Sequence, residues 1–358
     1  MKQRVKVAVL VGALLGLGFG TQVNAAAEAK KAQPVAKKSE QKKVAAAPQA
    51  GKSTGNAAKK SAAKAPVKSA GRSAAPKASG KTVSAANDAA KKPMRRVSMA
   101  DVDPGRLALF SASAVVIDQD SGQSLLEKQP DAVVPIASIS KLMTAMVVLD
   151  AKLDLNEVIA IGDDDVDGLK GTRSRLPVGT TMTRETAMLL ALMSSENRAA
   201  NALGRHYPGG MPAFVRAMNQ KARSLGMNNS RFDEPTGLSS NNVSTAHDLA
   251  RMVAAAARYP EIRAFSTTSD ARVELNGHIR DFHNTNALVR SDNWEIGVSK
   301  TGYISEAGRC LVMQARVADK PVVIVLLDSA GKMTRVGDAN RIKRWMESAS
   351  VGPERRPA

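Results

Sequence analysis

Apolar positions recur along this chain in three different ways. Residues 7–19 form an unbroken apolar run behind a short basic start. Residues 26–100 hold almost no large apolar side chain. From about Arg106 onward the apolar positions return at the periods of strands and helices. Residues 111–118 (SASAVVID) predict a strand, Asp120-Ser121-Gly122 a turn, and residues 125–128 a returning strand. Residues 138–149 predict a helix, with Pro135 and a hydroxyl residue at its start. Residues 151–182 are polar and turn-rich. Residues 183–192 predict a helix capped by Thr183. A second stretch, 198–206, ends at Tyr207-Pro208-Gly209-Gly210, and 211–225 is an amphipathic helix ended by Gly226. Residues 245–258 predict another helix, with Thr245 and Asp248 at capping-box spacing and Pro260 just beyond its end. Residues 271–275 and 278–282 flank Asn276-Gly277, the preferred two-residue hairpin turn. Three further strands (296–301, 310–318 and 321–327) precede a closing helix over 332–348. Strands at both ends with helices between predict an α+β domain: a mainly antiparallel sheet flanked by helices, with an all-helical subregion.

The other two regions set the domain boundaries. Lys2, Arg4 and Lys6, the apolar run, and Val23-Asn24-Ala25 make residues 1–25 a secretory signal peptide. The run is shorter than the roughly 17–25 residues of a spanning helix, so no anchor is expected after processing. Residues 26–105 are an Ala/Lys/Pro-rich basic tail. Such a composition buries too little apolar surface to offset its ordering entropy, and it predicts disorder. The folded domain is expected over 106–350, with a flexible C-terminus at 351–358.

Charge follows the same division. Of the net +19, about +15 lies in residues 26–100 and +3 in the signal, which leaves the rest near +1. The basic character belongs to the tail and says nothing of the folded part. A solvated tether suits it, with loose electrostatic contact to acidic wall polymers or membrane as a second reading. Nucleic acid is disfavoured, because an exported protein rarely meets it. Cys310, the single cysteine, sits in an apolar strand-like run and reads as a buried, inert thiol. The four histidines show no ligand spacing, so neither a metal nor another cofactor is expected.

Three short motifs remain: Ser138-Ile139-Ser140-Lys141, Ser195-Glu196-Asn197 and Lys300-Thr301-Gly302. The first two spacings are common. Ser-x-x-Lys recurs at Ser39, Ser61 and Ser329, and Ser-x-Asn at Ser239, Ser240 and Ser291. Only Ser138 opens a strongly apolar helix, where positions i and i+3 share a face and Lys141 can reach the hydroxyl. A serine needs a base to become a nucleophile, and a lysine serves only when uncharged. The apolar run 142–149 can desolvate Lys141, and Lys300 can add a second positive charge that lowers its pKa further. Ser291 lies so close to Lys300 that it would leave the opposite wall of a cleft empty, so Ser195 is the preferred second serine. Lys300-Thr301-Gly302 ends a strand-like run and suits an edge strand that receives a peptide, with Gly302 allowing close backbone approach.

With all three motifs in order, the chain resembles the serine penicillin-recognising enzymes. Residues 135–144, 192–200 and 299–303, with Glu234-Pro235-Thr236-Gly237-Leu238 and Ser244-Thr245-Ala246, look most like the D-alanyl-D-alanine peptidases, within them the penicillin-binding protein 7 type of endopeptidase. The resemblance spans about residues 108–349. It implies a β-lactamase/DD-peptidase-like fold in a periplasmic enzyme acting on peptidoglycan peptide stems, with β-lactams as covalent inhibitors. It implies Ser138 as nucleophile and Lys141 as its base, with Ser195 and Asn197 completing the proton relay. Lys300, Thr301 and Gly302 would bind substrate, and the N–H groups of Ser138 and Tyr303 would form the oxyanion hole. Ser140, where the family often has Thr, faces away from Ser138 and is expected to matter little. A carboxypeptidase is the nearest alternative. A β-lactamase, for which Glu234 is the tempting glutamate, and a non-catalytic wall-binding protein are further ones.

Overall fold

The computed structural model describes residues 107–331 and 333–350, so the readings made for 1–25, 26–105 and 351–358 lie outside the described residues. In chain order come β1 (Ser111–Asp118), β2 (Ser124–Lys128), β3 (Val134–Pro135), α1 (Ser140–Asp150), β4 (Val158–Ala160), β5 (Thr181–Thr183), α2 (Arg184–Met193), α3 (Asn197–Arg205) and α4 (Gly210–Ser224). There follow β6 (Val243–Ser244), α5 (Ala246–Ala256), α6 (Pro260–Thr267), β7 (Asp270–Leu275), β8 (His278–His283), β9 (Glu295–Ile304), β10 (Gly308–Val317), β11 (Lys320–Ser329) and α7 (Thr334–Ser350).

The first two strands and the last three form one antiparallel sheet in the order β2-β1-β11-β10-β9. The three inner strands β1, β11 and β10 carry long apolar runs because both faces are covered. Val115, Val312, Val323, Val325 and Leu327 face the helices and share a core with α1, α2 and α5. Their alternates Ala114, Val116, Leu311, Met313, Ile324 and Leu326 face the other way, onto Ala339, Ile342 and Met346 of α7. β9 is an edge strand. Val298 and Ile304 face the helical side, and the period of two puts Lys300 on that face with them.

Local signals explain most boundaries. The Thr183 hydroxyl caps α2 by accepting from Thr186 N–H at 3.1 Å, and Thr245 caps α5 through Asp248 N–H at 3.1 Å. Asn276 and Gly277 turn the β7–β8 hairpin with φ of 50° and 76°. Two expectations change. Pro260 opens α6 instead of merely following α5, because a first-turn proline lacks only an N–H that has no intrahelical partner there. β9 runs on to Ile304, so Lys300-Thr301-Gly302 lies inside a strand. Gly302 and Tyr303 stay in register with Cys310 and Arg309 of β10.

α7 is fastened to β1 by one buried carboxylate. Asp338 accepts from Phe110 N–H, from Ser111 N–H at 2.7 Å and from the Ser111 hydroxyl at 2.6 Å, and it pairs with Arg341. Asp338→Ala leaves these donors without an acceptor. It should lower the free energy of unfolding in urea by about 3 kcal/mol. A loss under about 0.5 kcal/mol would show that α7 docks by its apolar face alone.

Candidate active site

Ser138 stands in a 3-10 turn, Ala137–Ile139, that runs directly into α1. The α-helix therefore starts two residues later than the sequence pattern suggests. Bonds from Ile139 N–H to Ile136 O and from Ser140 N–H to Ala137 O tighten the first turn. β3 pairs with β6, and Ile136 N–H donates to Asn242 O at 3.0 Å, which fixes the approach. Ala137 has φ of +50°, a left-handed conformation uncommon for a residue with a side chain. The peptide after it is wedged between two glycines. A Cβ on Gly237 would lie 1.9 Å from Ala137 O, and one on Gly302 would lie 2.9 Å from Ser138 N. Neither position has room for a methyl group without backbone movement.

Lys141, one turn into the helix, is fully buried. Its Nζ lies 3.0 Å from Ser138 Oγ, 2.7 Å from Asn197 Oδ1 and 2.6 Å from the Thr236 carbonyl. Burial pushes its pKa down to about 7, against the opposing pull of Glu234 and Glu196. A neutral amine has two N–H bonds and one lone pair. The two carbonyl oxygens accept the N–H bonds, which leaves the lone pair for the Ser138 hydroxyl.

The opposite wall carries Ser195, Lys300 and Thr301. Ser195 follows α2 with φ of +62°, a second strained residue at the site. Its hydroxyl accepts from Lys300 Nζ at 2.9 Å, so it pairs across the cleft with the edge strand and not with Ser138. Lys300 is buried as well and also donates to Thr301 O at 3.0 Å. Burial holds its pKa well below the ordinary lysine value, and the charges of Lys141 and Arg335 add to this. Desolvation is thus the main cause for both amines, as the apolar run 142–149 implied for Lys141, while Lys300 is not among the groups that shift Lys141. Thr301 Oγ1 bonds Thr285 Oγ1 at 2.7 Å, and Arg335 donates to Gly302 O at 3.2 Å.

These groups form one constellation: a serine held to a buried amine, and a second serine held to a second buried amine on an edge strand. A sequence profile of the family described as D-alanyl-D-alanine carboxypeptidase matches residues 95–331. The chain belongs to this family of serine peptidases. Over 250 residues this peptidase is 50% identical to a D-alanyl-D-alanine endopeptidase of Pseudomonas aeruginosa, covering 69% of this chain and 81% of the relative. A D-alanyl-D-alanine endopeptidase of Escherichia coli K12 is 48% identical, with 68% and 80% covered. The crystal structure of the Streptomyces K15 DD-transpeptidase superposes with a TM-score of 0.63 at 27% identity, covering 67% of this chain and 98% of that one.

Several further residues of the peptidase's site were given no role by the three motifs. The Glu234 carboxylate accepts from Thr236 N–H and Oγ1 (both 2.5 Å), Gly237 N–H (2.7 Å), Ser239 N–H and Asn242 Nδ2 (both 3.2 Å). It thereby aims the Thr236 carbonyl at Lys141 and presses Gly237 onto the Ala137 peptide. Asn242 is fully buried and donates to Ser140 Oγ at 2.9 Å, while Ser140 donates to Ala137 O at 3.0 Å. The Ser140 hydroxyl bonds Ala137 and Asn242 and not Ser138, but it is not inconsequential: it ties the Ser138 turn to this loop. Glu196 accepts from Ser174 at 2.7 Å and Arg175 at 2.8 Å and so anchors the preceding segment. Glu234 was signalled by the string 234–238, and Ser140 and Glu196 only by their places inside the first two motifs; Asn242 had no signal.

The competing serines sit elsewhere. Ser329 is buried against the Ser111 hydroxyl at 2.6 Å, Ser291 accepts from Asn293 N–H in its own turn, and Ser239 faces Asp233 at 3.2 Å. Ser39 and Ser61 lie outside the described residues. Cys310 is buried, and burial pushes its thiol up to about 11. Among the described residues no His, Cys, Asp or Glu cluster could hold a metal, and no helix is long and apolar enough to cross a membrane.

Gly237→Ala tests the wedge. The added methyl meets backbone at a positive φ, so a loss of about 3 kcal/mol or more is expected in chemical denaturation. A variant as stable as the parent would mean that the loop yields freely.

Proposed function

We propose that this peptidase is a periplasmic, penicillin-binding D-Ala-D-Ala endopeptidase that opens peptide crosslinks of peptidoglycan. The observation that carries the reading is the buried Lys141 amine, 3.0 Å from Ser138 Oγ with its other two positions taken by carbonyls. Ser138 attacks the D-Ala carbonyl while its proton passes to Lys141. The tetrahedral oxyanion is held by the N–H groups of Ser138 and Tyr303. In support, Ser138 N packs against Gly302, the residue just before Tyr303. One such donor is worth about 3–4 kcal/mol of barrier. The amine bound by D-Ala leaves with the Lys141 proton, and water then resolves the acyl-enzyme by the same relay in reverse.

Lys300, Thr301 and Gly302 receive the substrate strand along the free edge of β9. A substrate carboxylate arriving beside the buried Lys300 would favour its charged form, which supports Lys300 as the anion anchor. Ser195 is bonded to Lys300 and Asn197 to Lys141, so the two residues of this motif serve the two amines separately. Endopeptidase is favoured over carboxypeptidase because the relatives near half identity carry the endopeptidase name. A β-lactamase is disfavoured because the Glu234 carboxylate is engaged by its own loop. Export by the signal at 1–25 places the enzyme at its substrate, and the basic tail suits contact with acidic wall polymers.

Fluorescent penicillin should label the wild-type chain and leave Ser138→Ala unlabelled; equal labelling of both removes Ser138 from the mechanism. Because Lys141 must be neutral to accept the proton, acylation should rise about tenfold between pH 6 and pH 8. A rate still climbing steeply above pH 9 would mean that the amine is not depressed. Purified crosslinked muropeptides should yield monomers as the main product, whereas dominant release of free D-alanine would make the enzyme a carboxypeptidase.

A further inference from the structure

We propose that Thr172 is a positioning residue for acylation: its hydroxyl fixes which way round the Asn197 amide faces Lys141. The inference rests on the reading of Ser138 as nucleophile and Lys141 as base.

An asparagine amide has an accepting end and a donating end of nearly the same shape, and its neighbours decide its orientation. Here the decision comes from a chain of three groups. Asp167 Oδ1 accepts from Leu169 N–H at 2.8 Å and Lys170 N–H at 2.9 Å, and Oδ2 accepts from Thr172 N–H at 2.8 Å. Burial alone would raise its pKa, but the Thr172 hydroxyl and these amides outweigh that and hold it below the usual value. An ionised carboxylate only accepts, so the Thr172 hydroxyl, 2.6 Å from Oδ2, must donate its single proton to Asp167. The lone pairs of Thr172 Oγ1 then face Asn197 at 2.9 Å and can only accept from Nδ2. That turns Oδ1 toward Lys141 Nζ at 2.7 Å.

The orientation matters because of what the reverse would do. With Nδ2 facing the amine, the Lys141 lone pair would accept from the amide instead of from Ser138. The base would be occupied. The ammonium form would also lose an acceptor, so its pKa would fall further. The segment holding Thr172 is tied to the sheet side of the cleft by the Lys170–Glu306 ion pair, and Glu306 sits in the turn between β9 and β10. One short loop therefore links the base's orientation to the strand that carries Lys300 and Thr301.

The test is the rate of acylation by a fluorescent penicillin from pH 5.5 to 9, with Thr172→Val, Thr172→Ser and Ser138→Ala in the full chain. Valine keeps the shape and leaves the backbone amides on Asp167; serine keeps the hydroxyl. Thr172→Val should slow acylation about tenfold or more and move the midpoint of its pH profile downward. Thr172→Ser should stay within about threefold of the parent with an unmoved midpoint. Wild-type behaviour of Thr172→Val overturns the role of Thr172, as does a slowed variant with an unmoved midpoint, or a serine variant as impaired as valine. Labelling that persists in Ser138→Ala is a separate failure and removes the nucleophile reading itself.

Discussion

A fully buried amine that gives up its proton near neutral pH is the constraint around which this structure is built. Lys141 has no exposed surface, and its pKa falls from 10.5 to about 7. The unfolded chain binds that proton more tightly than the folded one. Folding is therefore disfavoured progressively as pH falls from about 10.5 to about 7, by roughly 4 kcal/mol at neutrality. This is a sizeable fraction of the net stability of an ordinary domain. The two-sided sheet core and the apolar length of α1 supply the stability that lets such a residue persist.

The rest of the site is arranged around that amine. Three separate segments converge on it: the head of α1, the strained junction at Ser195–Asn197, and the Glu234 loop that delivers the Thr236 carbonyl. Two glycines, Gly237 and Gly302, let the Ala137–Ser138 peptide sit between a loop and the edge strand without a side chain intervening. The left-handed conformations of Ala137 and Ser195 belong to the same design: both bend the chain so that a hydroxyl faces the cleft.

Much of this was legible in the sequence, and the reasons are physical. β1, β10 and β11 are apolar on both faces, and the helix at Ser140–Asp150 is apolar nearly throughout, so periodicity and length found them. Asn276-Gly277 can do little but turn a hairpin. The three motifs were recognisable because their chemistry needs particular side chains in a particular order. What stayed hidden depends on tertiary contact. Pro260 is equally compatible with ending one helix and starting another. Ser140 looked idle because its partner Asn242 is about a hundred residues away. Thr172 and Asp167 lie in a stretch whose composition says only that it turns. The apolar run 142–149 did signal the burial that lowers the Lys141 pKa, but nothing local announced that Lys300, in a mixed polar strand, is buried as fully.

The central claim is most directly tested by the protonation of Lys141 itself. A 13Cε-lysine-labelled sample followed by NMR from pH 5 to 11, with the resonance assigned by Lys141→Arg, should show a titration midpoint near 7. A midpoint at the ordinary lysine value, near 10.4, would contradict the account.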